Sequence, residues 1–177
     1  MKYRRLGKTE LTVSVVGVGT WQLGGDWGKS FAQGEVDAML GRAKELGINL
    51  IDTAECYGPD HLSETLIGKF LAGQRRQDWV VATKFGHVPG WLPREVRQSI
   101  EDSLRALRTD YVDLVQFHSG PDEVLDTPGL WEMLREQVEA GKVRHLGISI
   151  GSNDNVYQTE KAEPFKGGGH RKAMCSA

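Results

Sequence analysis

Residues 48–58 read Ile-Asn-Leu-Ile-Asp-Thr-Ala-Glu-Cys-Tyr-Gly, and this stretch sets the pattern on which the rest of the chain is built. A short apolar run ends in a carboxylate, Asp52, and Tyr57 follows five residues later, just before a glycine that predicts a loop. An apolar run of this length is typical of a buried strand. We therefore interpret the stretch as a strand whose carboxyl end carries titratable side chains.

The same arrangement recurs twice further along the chain. Residues 79–86 contain an apolar run that ends in Lys84, and residues 111–120 contain another that ends in His118. A segment with helical spacing separates each run from the next, which predicts parallel strands joined by right-handed crossovers. Because parallel strands present their carboxyl ends at one rim, we expect Asp52, Lys84 and His118 to converge there, with the tyrosine of the first run just above them.

The composition restricts the class of protein. The chain has 177 residues, of which 39% are hydrophobic and 26% charged, enough for one globular domain with a core. A net charge of -2 gives no electrostatic reason to expect nucleic acid or a membrane surface as a partner. No apolar run approaches the roughly 20 residues of a membrane helix, and the first residues lack the apolar segment of a signal peptide. Two cysteines, Cys56 and Cys175, make no disulfide framework, which favours a cytoplasmic setting.

Further segments extend the pattern of alternating strands and helices. Residues 1–13 predict a β-hairpin over the bottom of the fold, and residues 13–19 predict the first inner strand. Ser63 is expected to cap a helix. The later strands are predicted at 48–52, 79–83, 111–117 and 142–150. A helix is predicted at 35–46, with an apolar face formed by Val36, Met39, Leu40, Ala43 and Leu46.

This series favours a (β/α)8 barrel of the TIM type over a doubly wound sheet. The strand–helix unit repeats about every 30 residues, and titratable groups end several different strands, as in barrels. The glycine fingerprint of a dinucleotide-binding doubly wound sheet is absent at the first strand. Apolar periodicity stops at residue 151. We therefore predict an incomplete barrel of about five of the eight strands over residues 1–150, an irregular or disordered tail over 151–177, and a truncated chain.

The motifs resemble those of the aldo-keto reductases, in that family's order and spacing. The matching segments are residues 19–21, 52–58, 62–64, 83–85, 110–118 and 147–149. The resemblance implies a (β/α)8 barrel that binds NADPH in extended form at the C-terminal rim. It also implies reduction of a small-molecule aldehyde or ketone to an alcohol. No metal site is expected.

The resemblance assigns the family's four catalytic positions to Asp52, Tyr57, Lys84 and His118. Each residue alone has an ordinary structural explanation, and it is their joint occurrence at strand ends that favours catalysis. Tyr57 would be the general acid, with its pKa lowered from about 10 by the Lys84 cation. Asp52 would keep Lys84 charged and oriented, and His118 would hydrogen-bond the substrate carbonyl.

The resemblance also implies cofactor contacts. Thr20 and Trp21 would contact the ribose or form a wall of the substrate pocket, Asp52 is a further candidate for cofactor binding, and Ser149 matches the carboxamide-binding serine. Ile150 stands where many members have Asn. In the family, later strands supply the aromatic ring stacked on the nicotinamide and the basic residues at the 2′-phosphate, so we expect poor stability and weak or absent NADPH binding for this chain alone.

Two functions follow from these observations. The first is NADPH-dependent carbonyl reduction with Tyr57 as the proton donor. The alternative is a catalytically inactive, truncated fragment that acts as a binding or assembly partner. The residues leave open the carbonyl substrate, the choice between NADPH and NADH, and the oligomeric state. Cys56 is assigned no role.

Overall fold

Parallel strands in chain order form the frame of the structure, a computed structural model that describes residues 1–87, 91–149, 160 and 173–174. The strands are β1 (Tyr3–Arg5), β2 (Thr12–Ser14), β3 (Val18–Gly19), β4 (Leu50–Asp52), β5 (Val80–Phe85), β6 (Val112–His118), β7 (Val143–Ser149) and β8 (Ala173–Met174). The helices are α1 (Gln33–Glu45), α2 (Leu62–Leu71), α3 (Pro93–Ala106) and α4 (Leu130–Glu139).

The strand order identifies the architecture. Strands β3 to β8 are neighbours in that order, and every pair is parallel. A doubly wound sheet reverses its strand order at a switch point, whereas a barrel continues in one direction. The structure therefore confirms the predicted fold class, an incomplete barrel of the TIM type. The unbroken order also places the carboxyl ends of β4, β5, β6 and β7 along one rim.

The N-terminal hairpin covers the opposite end of the sheet. Strands β1 and β2 pair antiparallel, as predicted. The hairpin residues Leu6, Leu11 and Val13 form a cluster with side chains from the inner face of β5 and β6. The amide of Ser14 also donates a 2.8 Å hydrogen bond to the side-chain oxygen of Asn49, just before β4. The hairpin thus closes the amino-terminal end of the strands and leaves the carboxyl-terminal rim open for a site.

The larger core lies between the sheet and the helices. Alternate residues of β5, Val81 and Phe85, belong to this core, whereas Val80 and Ala82 face the hairpin cluster. Alternation along a strand places Lys84 on the same inner face as Val80 and Ala82. The strand is buried along its whole length, so Lys84 has to find its partners inside the protein.

Three sequence predictions need correction. The predicted strand over residues 13–19 is divided between β2 in the hairpin and the two-residue strand β3. Met39 and Leu46 are 38% and 50% exposed, although both were assigned to the apolar face of α1. Their positions flank the buried stripe of Val36, Leu40 and Ala43, so the helix presents a narrower face than the spacing predicts.

Ser63 is not the cap of α2. His61 occupies the N-cap position, and Ser63 lies within the helix and is fully buried. Its hydroxyl donates toward the carbonyl oxygen of Thr20 at 3.0 Å, so it joins α2 to the loop that follows β3 instead of closing a helix end.

The C-terminal part of the prediction is tested at few positions. Ile150 and most of the predicted tail lie outside the described residues. Within the tail, Ala173 and Met174 pair with Gly147 and Ile148 of β7. The division of the chain at residue 150 stays a prediction. Across the described residues, no helix combines the length and apolar character of a membrane span.

Candidate active site

Lys84 is the centre of a hydrogen-bonded group at the carboxyl-terminal rim. Its ammonium nitrogen donates to Asp52 Oδ2 at 2.8 Å, to the carbonyl oxygen of Thr53 at 2.8 Å and to the phenol oxygen of Tyr57 at 3.2 Å. An ammonium has three protons, so these contacts satisfy it completely. Lys84 is only 5% exposed, and pairing with the Asp52 carboxylate offsets the cost of burying its charge.

Tyr57 reaches this position because its loop follows the end of β5. Residues 53–58, hereafter the Tyr57 loop, run from β4 toward α2. The amides of Thr53 and Glu55 donate to the carbonyl oxygens of Ala82 and Lys84 at 2.9 and 3.2 Å. These bonds continue the β4–β5 pairing past the last residue of β4. They bring the tyrosine back over the lysine.

Two glycines allow a second loop to pack against the Tyr57 loop. Gly24 ends a 3-10 turn at Trp21–Gly24, and Gly58 has a φ of 84°. A Cβ added at Gly24 would lie 2.5 Å from the carbonyl carbon of Tyr57, and one at Gly58 would lie 2.5 Å from the carbonyl oxygen of Gly24. Only glycine permits backbones to approach this closely.

The pKa of Tyr57 is raised, not lowered as the sequence analysis predicted. Burial has the largest effect, because it disfavours the phenolate, and the charge of Asp52 acts in the same direction. The charge and the hydrogen bond of Lys84 lower the pKa but do not compensate for burial. The phenol therefore keeps its proton near neutral pH.

His118 lies beside Tyr57 as a neutral imidazole. The two ring centroids are 5.7 Å apart with the planes at 80°. Burial is the largest cause that lowers the pKa of His118 to about 3, followed by the positive charges of Lys84 and His87. The Nδ1 atom lies 3.5 Å from the sulfur of Cys56, whose own pKa is raised to about 11, chiefly by burial. A neutral thiol next to a neutral imidazole can form a weak hydrogen bond.

The predicted cofactor residues differ in how they are placed. Thr20 is 1% exposed, and its hydroxyl donates to the carbonyl oxygen of Asp52 at 2.9 Å, which orients the end of β4. Trp21 is half exposed, with its ring 6.5 Å from that of Tyr57. Ser149 is the register partner of His118, and its hydroxyl forms no hydrogen bond within the described part of the chain.

A buried carboxylate near the site, Glu64, was not predicted from the sequence. Glu64 is completely buried; it accepts a 2.5 Å hydrogen bond from the Thr83 hydroxyl and lies 2.5 Å from Nδ1 of His61. The hydrogen bond to Glu64 raises the pKa of His61. A carboxylate in the first turn of an apolar helix was the available signal, because such a group is rarely buried without partners.

Glu55 was also not predicted, although it lies between Asp52 and Tyr57 in the first stretch described above. Its carboxylate accepts hydrogen bonds from the amide of Gly86 and the hydroxyl of Ser99. No sequence pattern marks Gly86 or Ser99 as a hydrogen-bond partner of Glu55. In residues 1–87 and 91–149, no group of three or more His, Cys, Asp or Glu side chains is arranged to hold a metal ion.

The chain is similar to known proteins of one family. The sequence model described as "Aldo/keto reductase family" matches residues 15–175. The chain is 34% identical over 161 residues to the aldo-keto reductase YhdN of Bacillus subtilis (strain 168), covering 84% of this chain and 47% of that protein. It is 36% identical over 160 residues to the L-galactose dehydrogenase of Arabidopsis thaliana, covering 84% and 48%.

A solved structure shares the architecture. The aldo-keto reductase AKR11C1 from Bacillus halodurans, in its holo form, superimposes with a TM-score of 0.72 at 36% identity, covering 85% of this chain and 51% of that one. The chain thus spans about half the length of the curated relatives it matches. The match of the family model over nearly the whole chain, together with these likenesses, establishes that the protein is a member of the aldo/keto reductase family.

Proposed function

We propose that the chain reduces an aldehyde or ketone to an alcohol with NADPH, and that Tyr57 donates the proton. The observation that carries the proposal is the Lys84 ammonium, which hydrogen-bonds the Asp52 carboxylate and the Tyr57 phenol at once. A buried cation beside a phenol stabilises the phenolate that remains after proton transfer.

The protonation states suit this division of work. Tyr57 holds its proton near neutral pH because burial raises its pKa, so it is in the form that can act as an acid. As the carbonyl oxygen gains negative charge, the phenol proton passes to it. The phenolate left behind is held by Lys84, whose orientation is fixed by Asp52 and the carbonyl oxygen of Thr53.

His118 contributes a hydrogen bond and no charge. With a pKa of about 3 it is neutral near neutral pH, so it does not compete with Tyr57 as the acid. If the neutral Cys56 thiol donates to Nδ1, the remaining ring proton is on Nε2. That N–H is then available to the carbonyl oxygen of the substrate, the atom at which negative charge develops.

The residues present fit part of a nicotinamide site. The cofactor would supply the hydride. The exposed indole of Trp21 and the Ser149 hydroxyl stand at the rim beside Tyr57 and His118 and are suited to hold it. Thr20 fits less well, because its hydroxyl already binds the Asp52 carbonyl. The preference for NADPH over NADH and the cytoplasmic setting are parts of the proposal.

A second candidate function is a non-catalytic binding or assembly partner. The supporting observation is the open edge of the sheet, since β3 has one strand neighbour, β4, among the described residues. Unpaired strand edges are suited to pairing with another chain.

Titration of the purified chain with NADPH, followed by tryptophan fluorescence, tests the two candidates. Trp21 stands beside the site, so saturable quenching that is lost in Trp21→Phe supports the reductase. NADPH oxidation with a panel of aldehydes and ketones then identifies the substrate class. A chain that neither binds NADPH nor reduces any carbonyl, yet elutes as an assembly, favours the second candidate.

A further inference from the structure

Glu55 connects the Tyr57 loop to two other elements. It lies two residues before Tyr57, and its Oε1 atom accepts a 2.9 Å hydrogen bond from the amide of Gly86, just past the end of β5. Its Oε2 atom accepts a hydrogen bond from the hydroxyl of Ser99 on α3. Its own amide donates to the carbonyl oxygen of Lys84 at 3.2 Å. One residue thus joins the loop to the strand of the lysine and to a helix.

We infer that Glu55 is a positioning residue that holds the Tyr57 loop over Lys84, with Ser99 as its anchor on α3. The phenol of Tyr57 meets the Lys84 ammonium at 3.2 Å, and small movements of the loop would separate them. The effect on catalysis rests on the function proposed above. The contacts that fix the loop exist whether or not the chain is an enzyme.

The Tyr57 loop borders open space beside Glu55. A cavity of about 610 Å³ opens beside it, so the loop has room to move outward if the attachment is lost. The titratable groups that face this cavity or act on Glu55 come from its own loop, from the short 3-10 turn Pro59–His61, and from α2 and α3: Cys56, Asp60, His61, Glu64, Glu95 and Asp102.

Burial raises the pKa of Glu55 to about 7, and the nearby charge of Glu64 acts in the same direction. The Gly86 amide and His61 lower it. A carboxyl group keeps an acceptor oxygen for Gly86 in either protonation state, and when protonated its O–H can donate to the Ser99 hydroxyl. A neutral glutamine can make the same two contacts, which provides a control that preserves position and removes the charge.

The experiment measures the rate at which a thiol reagent labels Cys56, the neighbour of Glu55, in a Cys175→Ser background. We expect Glu55→Ala to be labelled about tenfold faster than Glu55→Gln, because two partly buried hydrogen bonds are lost. Both variants remove the negative charge that raises the pKa of the Cys56 thiol. The difference between their labelling rates therefore reports the position of the Tyr57 loop alone. Ser99→Ala should fall between them. Asp60→Asn, an exposed carboxylate of the same cavity, should label like the parent.

Carbonyl reduction gives the second readout. Glu55→Ala should lower kcat about tenfold with little change in the KM for NADPH, and Glu55→Gln should restore most of the loss. Equal labelling of Glu55→Ala and Glu55→Gln in folded protein would overturn the inference. If the parent chain has no activity, the proposed function fails, while the labelling rates still decide the role of Glu55.

Discussion

Lys84 donates a hydrogen bond to the phenol oxygen of Tyr57 at 3.2 Å, across 27 positions of sequence. The ring of Tyr57 is also within reach of the same cation, which lies 5.0 Å from the ring centroid. The pair combines a proton that burial holds on the phenol with a charge that stabilises its loss. A general acid needs both effects, because it must keep its proton until negative charge develops on the substrate.

Replacing Lys84 directly tests the effect of its charge on the Tyr57 phenol. Lys84→Met removes the charge and the hydrogen bond that lower the pKa of Tyr57, so the phenol pKa should rise further above its ordinary value. The reduction rate should fall by about 100-fold or more. An absorbance titration of the phenol, with Tyr57→Phe subtracted, measures the pKa. Lys44→Met, on the exposed face of α1, serves as the control and should leave both quantities unchanged.

The stability of the fold should depend on the protonation of Glu55. Its pKa is 4.5 in an unfolded chain and about 7 in the folded protein, so the folded state binds more protons between these values. Stability therefore falls as the pH rises through this window, by at most about 3 kcal/mol. Glu55→Gln should remove that dependence. Urea unfolding at about pH 5 and about pH 8 measures the dependence. An equal change in the free energy of unfolding between these two pH values in both proteins would contradict the assignment.

Two histidines at the rim, His61 and His118, should have pKa values shifted in opposite directions from that of a free imidazole. His118 should remain neutral until the pH approaches about 3, because burial and the nearby cations oppose its protonation. His61 should protonate above its ordinary value of 6.5, because its hydrogen bond to Glu64 favours the cation. NMR titration of the imidazole signals, assigned with His61→Gln and His118→Gln, tests both. Protonation of His118 near pH 6 would show that it is less buried than described.

Gly24 should be required for the position of Tyr57. A methyl group at Gly24 would lie 2.5 Å from the carbonyl carbon of Tyr57, so Gly24→Ala must displace the loop. We expect a loss of stability of about 1–3 kcal/mol and a lower reduction rate. Gly41→Ala is a matched control, because a Cβ there meets nothing within 4 Å. In the middle of α1 it should stabilise the chain by up to about 1 kcal/mol. Thermal unfolding of the two variants gives the comparison.

The sequence was sufficient to place the strand ends but not the loops. Asp52, Lys84 and His118 could be assigned to one rim because strands have a simple apolar signature and parallel strands share a direction. Ser63 was misassigned as a cap because a serine before an apolar run has the same local pattern whether it caps the helix or lies within its first turn. The distinguishing contact is with Thr20, 43 positions away.

Electrostatic properties were the least predictable part of the site. The charge of Lys84 near Tyr57 was anticipated, yet the direction of the Tyr57 pKa depends on burial, which is set by the packing of the whole rim. Glu55 and Glu64 escaped notice for the same reason. Their partners, Gly86, Ser99 and Thr83, are ordinary residues that become important only when the elements are brought together.

The most direct test of Tyr57 as the proton donor is to compare carbonyl reduction by the purified chain and by Tyr57→Phe. NADPH binding is followed by tryptophan fluorescence in the same samples. Phenylalanine keeps the ring and removes only the hydroxyl that meets Lys84. We expect the variant to bind NADPH like the parent and to lose at least about 100-fold in kcat. A variant that keeps most of its kcat would contradict the role of Tyr57 as the proton donor.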